Sequence, residues 1–226
     1  MDQFLTFYGT VGVTMVLLAV LGPLGVRYFR AKELRALARS IGWEYVGTDP
    51  TLPRRWRGHP FGIGGSRRVS ELMTGVHQGR PALAFRYSYR TSTGRNRSTS
   101  AYHVVALALP AALPDLELTP ESLGARIATT LGGDDIQFES EDFNRAWRVR
   151  ADDAQVAHDV VHPRLMERLL RDDVRGLSLR IEGSDLFCWA PGGVRWGALG
   201  SRLEVLGAVV DTIPQHVWVD HGMRPA

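Results

Sequence analysis

RRVSELMTGVHQGRPALAFRYSYR, residues 67–90, decides the fold. Two arms, Arg67–Val76 and Pro81–Arg90, flank the polar break His77-Gln78-Gly79-Arg80, which suits a tight turn. In the second arm Leu83, Phe85, Tyr87 and Tyr89 alternate with Ala84, Arg86, Ser88 and Arg90. Successive side chains of a strand point to opposite faces, so this two-residue period predicts a strand with one aromatic, buried face. A polar tip, Thr91–Ser100, leads into a third apolar run, Ala101–Leu109, which stops at Pro110. Three such arms predict an antiparallel meander.

Downstream, Thr119 is placed as an N-cap for a helix over Pro120–Leu131, with Gly132-Gly133 as its stop. Residues Asp134–Asp142 hold five carboxylates. They lack the spacing and the glycine of an EF-hand loop, so they read as solvated loop charges. Ala146–Arg150 fits a strand with Trp147 and Val149 on one face. Asp152 or Asp153 then caps a helix to about Val161, and Pro163–Arg171 forms another. Leu177–Ile181 and Leu186–Ala190 suggest a second hairpin across Glu182–Asp185. Leu199, Leu203, Leu206 and Val210 stripe one side of a closing helix, Trp196–Val210, and from Ile213 onward no pattern is visible. Hairpins interleaved with helices predict an α+β domain, antiparallel β-hairpins with helices packed on them.

Upstream, Phe4–Val26 runs 23 residues without a charged side chain. At about 1.5 Å per residue it reaches roughly 34 Å as a helix, enough to cross a hydrocarbon core of about 30 Å. A secretory signal peptide would carry a basic start, and Met1-Asp2-Gln3 has none. The expectation is a single transmembrane helix. Nothing basic precedes it, while Arg27, Arg30, Lys32, Arg35 and Arg39 follow it. The positive-inside rule then sets the N-terminus outside and the large domain in the cytoplasm of a cell whose inner membrane holds the anchor. The organisation expected is an anchor over 1–30, a juxtamembrane helix over 31–42 and a soluble α+β domain over 43–226. In the juxtamembrane helix Leu34, Leu37, Ala38 and Ile41 share a face, and Gly42 ends it. That face reads as docking on the domain in preference to lying on the membrane.

Charge is uneven. Residues 27–68 hold ten bases against three acids, a local excess of seven in a chain of net charge +3. The basic excess lies beside the bilayer, where anionic lipid head groups would attract it. A hydrophobic share of 44% and a charged share of 23% exclude a disordered chain. One cysteine, Cys188, excludes an intrachain disulfide. Between Phe187 and Trp189 it reads as a buried thiol.

Candidate chemistry is thin. His158 and His162 stand four apart and could share a metal on one helical face, but Asp159 replaces the glutamate of the metalloprotease motif and Pro163 interrupts the helix. Arg54-Arg55-Trp56-Arg57 could meet nucleic acid phosphates, yet four residues favour a lipid-facing patch or a structural Trp with solvated arginines. Gly62-Ile63-Gly64-Gly65 precedes a strand, not the helix that a phosphate loop needs. No catalytic residue, cofactor or metal site is assigned on these grounds.

One stretch carries a family likeness. Glu139, Ser140, Phe143, Asn144, Trp147 and Val149, followed by Pro163, Arg164 and Met166, resemble an "ES-x-x-FN-x-x-(W/F)-x-V" strand and "PR-x-M" helix found in uncharacterised membrane-anchored proteins of actinobacteria. That family has no assigned activity, so the resemblance implies an anchored domain and no substrate or cofactor. The expectation is a non-enzymatic, single-pass membrane protein whose domain binds a protein or lipid partner. The alternative is a membrane-tethered hydrolase or metal enzyme using His158 and His162.

Overall fold

Gln78 and Gly79 join strand β2 (Gly65–His77) to β3 (Arg80–Thr93) with φ of 50° and 77°. Two successive left-handed residues make the turn whose twist matches paired strands. In the computed structural model, which describes residues 25–26, 28–94, 96–121, 135–192 and 195–223, this hairpin is the middle of a six-stranded antiparallel sheet. Its path runs β1 (Glu44–Gly47), β2, β3, β4 (Asn96–Pro120) and β5 (Trp147–Ala151), with β6 (Ser178–Pro191) along the other side of β4. The chain is thus a mixed domain of helices and antiparallel sheet.

Two strands depart from expectation at one place. β4 does not stop at Pro110, and Glu182–Asp185 does not turn; β6 is one strand paired to β4 throughout. Ala108 lies opposite Asp185 and Leu113 opposite Gly183, so β4 takes five steps where β6 takes two. Pro110 falls inside this bulge, where its missing N–H breaks no ladder bond. Gly183, at φ 59°, lets β6 follow the bend.

Helix α1 (residues 28–40) leads into β1 and buries Leu34 and Ala38 against the sheet, while Ile41 stays exposed. A short helix not foreseen, α2 (Glu141–Ala146), precedes β5; Ser140 caps it by accepting from the Phe143 N–H at 3.3 Å. Helices α3 (Ala154–Val160) and α4 (Pro163–Leu169) follow, the first capped by Asp153 as expected. Helix α5 (Leu199–Thr212) buries Leu199, Leu203, Leu206 and Val210, each contributing about 1.5–3 kcal/mol if fully withdrawn from water. After it, α6 (Gln215–Asp220) buries Val217 and Trp218. Thr119 and Pro120 are buried strand residues opposite Arg148 and Trp147, so Thr119 caps no helix; the rest of the helix expected over Pro120–Leu131 lies almost wholly outside the described residues. So does the stretch Phe4–Val26 apart from Gly25 and Val26. Among the described residues no helix is long and apolar enough to cross a membrane.

The sheet separates two cores. The helices cover one face. The other is aromatic, with Trp56, Phe61, Phe85, Tyr87, Tyr102, Phe187 and Trp189 packed together. Residues 48–64 strap over it. Asp185 accepts from Trp56 Nε1 at 2.9 Å and from Arg55 Nε and Nη2, both at 2.8 Å. Arg57 pairs with Glu182 at 3.3 Å and Asp115 at 3.2 Å. Beneath the strap the buried Arg180 pairs with Glu117 and donates to the His59 carbonyl at 3.1 Å. Arg55 and Arg57 are therefore engaged with carboxylates of β4 and β6, and Trp56 is a core residue.

Candidate functional site

Strand β2 builds the site because it is one residue too long for its partner. From the turn the ladder runs His77 opposite Arg80 to Met73 opposite Ala84, then resumes with Ser70 opposite Arg86. β2 advances three residues while β3 advances two, and Glu71 takes φ 55° inside the bulge. A one-residue insertion reverses the facing of everything beyond it. Val69 consequently enters the aromatic core beside Tyr87, while Arg68 and Ser70 join Arg86 and Ser88 on the other face.

These four residues form a checkerboard, since Arg68 lies opposite Ser88 and Ser70 opposite Arg86. Cross-strand neighbours stand about 5 Å apart and diagonal ones about 7–8 Å. Helix α1 and strand β1 wall this block into a groove of about 1000 Å³, bounded by Arg30 and Arg35 from α1 and by Tyr45 and Thr48 after it. Val26, the last residue of the uncharged N-terminal stretch, lines the same groove.

Its electrostatics are one-sided. Among the described residues that line it, four arginines meet one carboxylate, Glu71. Glu71 is already engaged: its Oε2 accepts from Trp196 Nε1 at 3.0 Å and faces Arg30 at 3.5 Å. The Arg35 guanidinium lies 5.4 Å from the Tyr45 ring centroid, a cation–π arrangement that fixes it along the wall. Among the described residues no carboxylate pairs with Arg68 or Arg86, and the buried Arg86 Nε has no hydrogen-bond partner. Beside Arg86, directly across the ladder on β4, His103 accepts at Nδ1 from Arg202. Burial, and secondarily Arg202, push the His103 pKa down to about 3, so it adds no charge. Such a groove suits an oxyanion: convergent guanidinium donors, hydroxyls between them, and no nearby free acid.

Of the juxtamembrane bases, Arg30 and Arg35 line this groove, Lys32 and Arg39 are exposed on α1, and Arg27 lies outside the described residues. His158 and His162 fall on different elements. His158, on α3, packs 4.9 Å from the Phe138 ring, while His162 precedes α4 and its Nε2 lies 2.8 Å from the Thr212 carbonyl. Among the described residues no group of three or more His, Cys, Asp or Glu is placed to hold a metal. Cys188 is fully buried, and burial pushes its thiol up to about 11. Arg68 and Arg86 escaped sequence reading because their common facing depends on the bulge at Glu71.

The stretch Phe138–Met166 proves structural in its contacts. Asn144 brackets Phe138, accepting from its N–H at 3.0 Å and donating to its carbonyl at 2.8 Å. Trp147 Nε1 donates to the Leu169 carbonyl at 3.1 Å, tying β5 to α4, and Phe143, Val149 and Met166 are buried.

No protein-family model matches the chain, and no curated protein matches it. Among solved structures, its fold is similar to the crystal structure of the mycobacterial trehalose monomycolate transport factor A, TtfA, with a TM-score of 0.58 over 81% of this chain and 96% of that one. Identity is 12%, so the likeness is one of fold. A mycobacterial neighbour fits the actinobacterial resemblance without showing the family.

Proposed function

We propose that the chain is a non-enzymatic, single-pass membrane-anchored protein whose α+β domain works in the cytoplasm at the bilayer surface as an interaction module for a lipid or protein partner. The carrying observation is the groove: its arginines open beside Val26, where the uncharged stretch from Phe4 ends. Cations at that position sit within a Debye length, about 8–10 Å, of anionic head groups. The fold shared with a transport factor supports an accessory role in moving a lipid, served by binding and not by chemistry.

Reporter fusions at the two ends of the full-length chain in a bacterial inner membrane test the arrangement. A cytoplasmic reporter at the C-terminus is the expected result. An exported C-terminal reporter would overturn the orientation and with it the cytoplasmic role.

A further inference from the structure

We infer that the Arg68–Ser70–Arg86–Ser88 checkerboard is a seat for a single phosphate group, with a phospholipid head group as the fitting source at this site. The inference deepens the reading above by naming the groove's ligand chemistry, and rests on it only for the source of that phosphate.

The geometry comes from the ladder. Arg68 and Arg86 occupy diagonal corners of one face, with Ser70 and Ser88 at the other two. Corners about 7–8 Å apart let two long guanidinium arms close on one tetrahedral oxyanion between them. The hydroxyls beside them can donate to its remaining oxygens.

The energetics point the same way. Arg86 is half-buried and its Nε makes no hydrogen bond, so it lacks both water and a protein acceptor. A buried donor without an acceptor is costly, and a bound anion that accepts from it removes that cost. Among the described residues no group takes this place. Glu71 is held by Trp196 and Arg30, and the cross-strand neighbour His103 is neutral with its Nδ1 facing Arg202. Arg202 itself adds positive charge on the same face, beyond His103. Arg30 and Arg35 then serve as outer walls that a head group would pass, coming from the Val26 end.

The test uses the full-length chain in mild detergent, by native mass spectrometry with equal phosphatidylglycerol and phosphatidylcholine. In parallel, thermal shift is measured with inorganic phosphate. Variants are R68Q, R68Q/R86Q and, as a charge-matched control, R54Q/R164Q at exposed positions; circular dichroism checks that each is folded. The expected result is retained phosphatidylglycerol in the parent and control, weakened roughly tenfold in R68Q/R86Q, as loss of a charge-assisted bidentate contact implies. R68Q, at an exposed residue, gives a partial loss. Should inorganic phosphate stabilise the parent but not R68Q/R86Q, with no lipid preference, the phosphate seat stands and its source is soluble. Retention and thermal shift unchanged in R68Q/R86Q, or absent from the parent, would overturn the seat. An exported C-terminal reporter would instead sink the cytoplasmic reading and leave this result untouched.

Discussion

Ser70 stands opposite Arg86 across the β2–β3 ladder, although counting from the Gln78-Gly79 turn would set it against Tyr87. The one extra residue at Glu71 is what brings two arginines and two serines onto the face beside helix α1.

Deleting Glu71 should remove the bulge without changing the register beyond it, leaving Ser70 opposite Arg86, Val69 beside Tyr87 and Arg68 opposite Ser88. The deletion loses the acceptor of Trp196 Nε1, so a change of about 1–2 kcal/mol in urea unfolding is expected. Glu71→Gly keeps the extra residue and suits the positive φ, but loses the bond to Trp196; a change within about 1 kcal/mol is expected. A loss above about 3 kcal/mol for the deletion, as from a guanidinium forced into the aromatic core, would contradict this account of the bulge.

Gly75 lies under the indole of Trp43, where an added Cβ would come within 2.3 Å of the ring. Gly75→Ala should therefore push Trp43, which is only 7% exposed, out of its seat against β2. Overpacking of this kind costs about 1–3 kcal/mol, readable as a lowered urea midpoint with an unchanged slope.

The strap hangs on carboxylates. Asp185→Ala removes the acceptor of Trp56 Nε1 and of two Arg55 donors, leaving a buried indole N–H unpaired. A destabilisation of about 2–4 kcal/mol is expected. Hydrogen exchange should quicken over residues 48–64 and stay slow in β3. Uniform quickening across both would argue against a locally held strap.

Glu117→Gln removes the nearer carboxylate of the buried Arg180 and leaves Glu182 at 3.8 Å, which costs about 1.5–3 kcal/mol, whereas replacing both Glu117 and Arg180 by Met should recover part of that. Equal losses for the single and double variants would show that the Arg180 contact to the His59 carbonyl, not the ion pair, holds the strap.

Two histidines set the acid limit. Burial, then Arg180, depress His59 to about 4; burial, then Arg202, depress His103 to about 3. Unfolded, each titrates at 6.5, so the folded state binds fewer protons below that pH. Their stabilisation is complete above pH 6.5 and is lost as pH falls toward 4 for His59 and 3 for His103. Each contributes a slope of up to about 1.4 kcal/mol per pH unit in its window. His103→Gln should flatten the fall in Tm between pH 6.5 and 4, and an unchanged slope would refute the assignment.

Much of the architecture is legible in the chain. The meander follows from the alternation in Leu83–Tyr89 and from a turn pair able to take positive φ. The cap at Asp153 and the stripe Leu199–Val210 follow from local chemistry that tertiary contacts reinforce. What escaped are non-local decisions. Glu182-Gly183-Ser184-Asp185 has turn composition, yet its carboxylates are used to hold the strap while β6 pairs with β4. The His158–His162 spacing suggested one helical face until Val161 and Pro163 split the helix. The groove was half visible: Arg30 and Arg35 were marked by position, whereas Arg68 and Arg86 needed a bulge that no residue type announces.

The central claim, that the groove faces lipid phosphate at the membrane, is tested most directly by photocrosslinking in living cells. A photoreactive residue placed at Val46, exposed on the groove wall, is compared with one at the exposed Leu170 outside it. The account predicts phospholipid adducts from position 46, reduced by R68Q/R86Q, and none from position 170. Equal lipid labelling from both, or none from position 46, would contradict it.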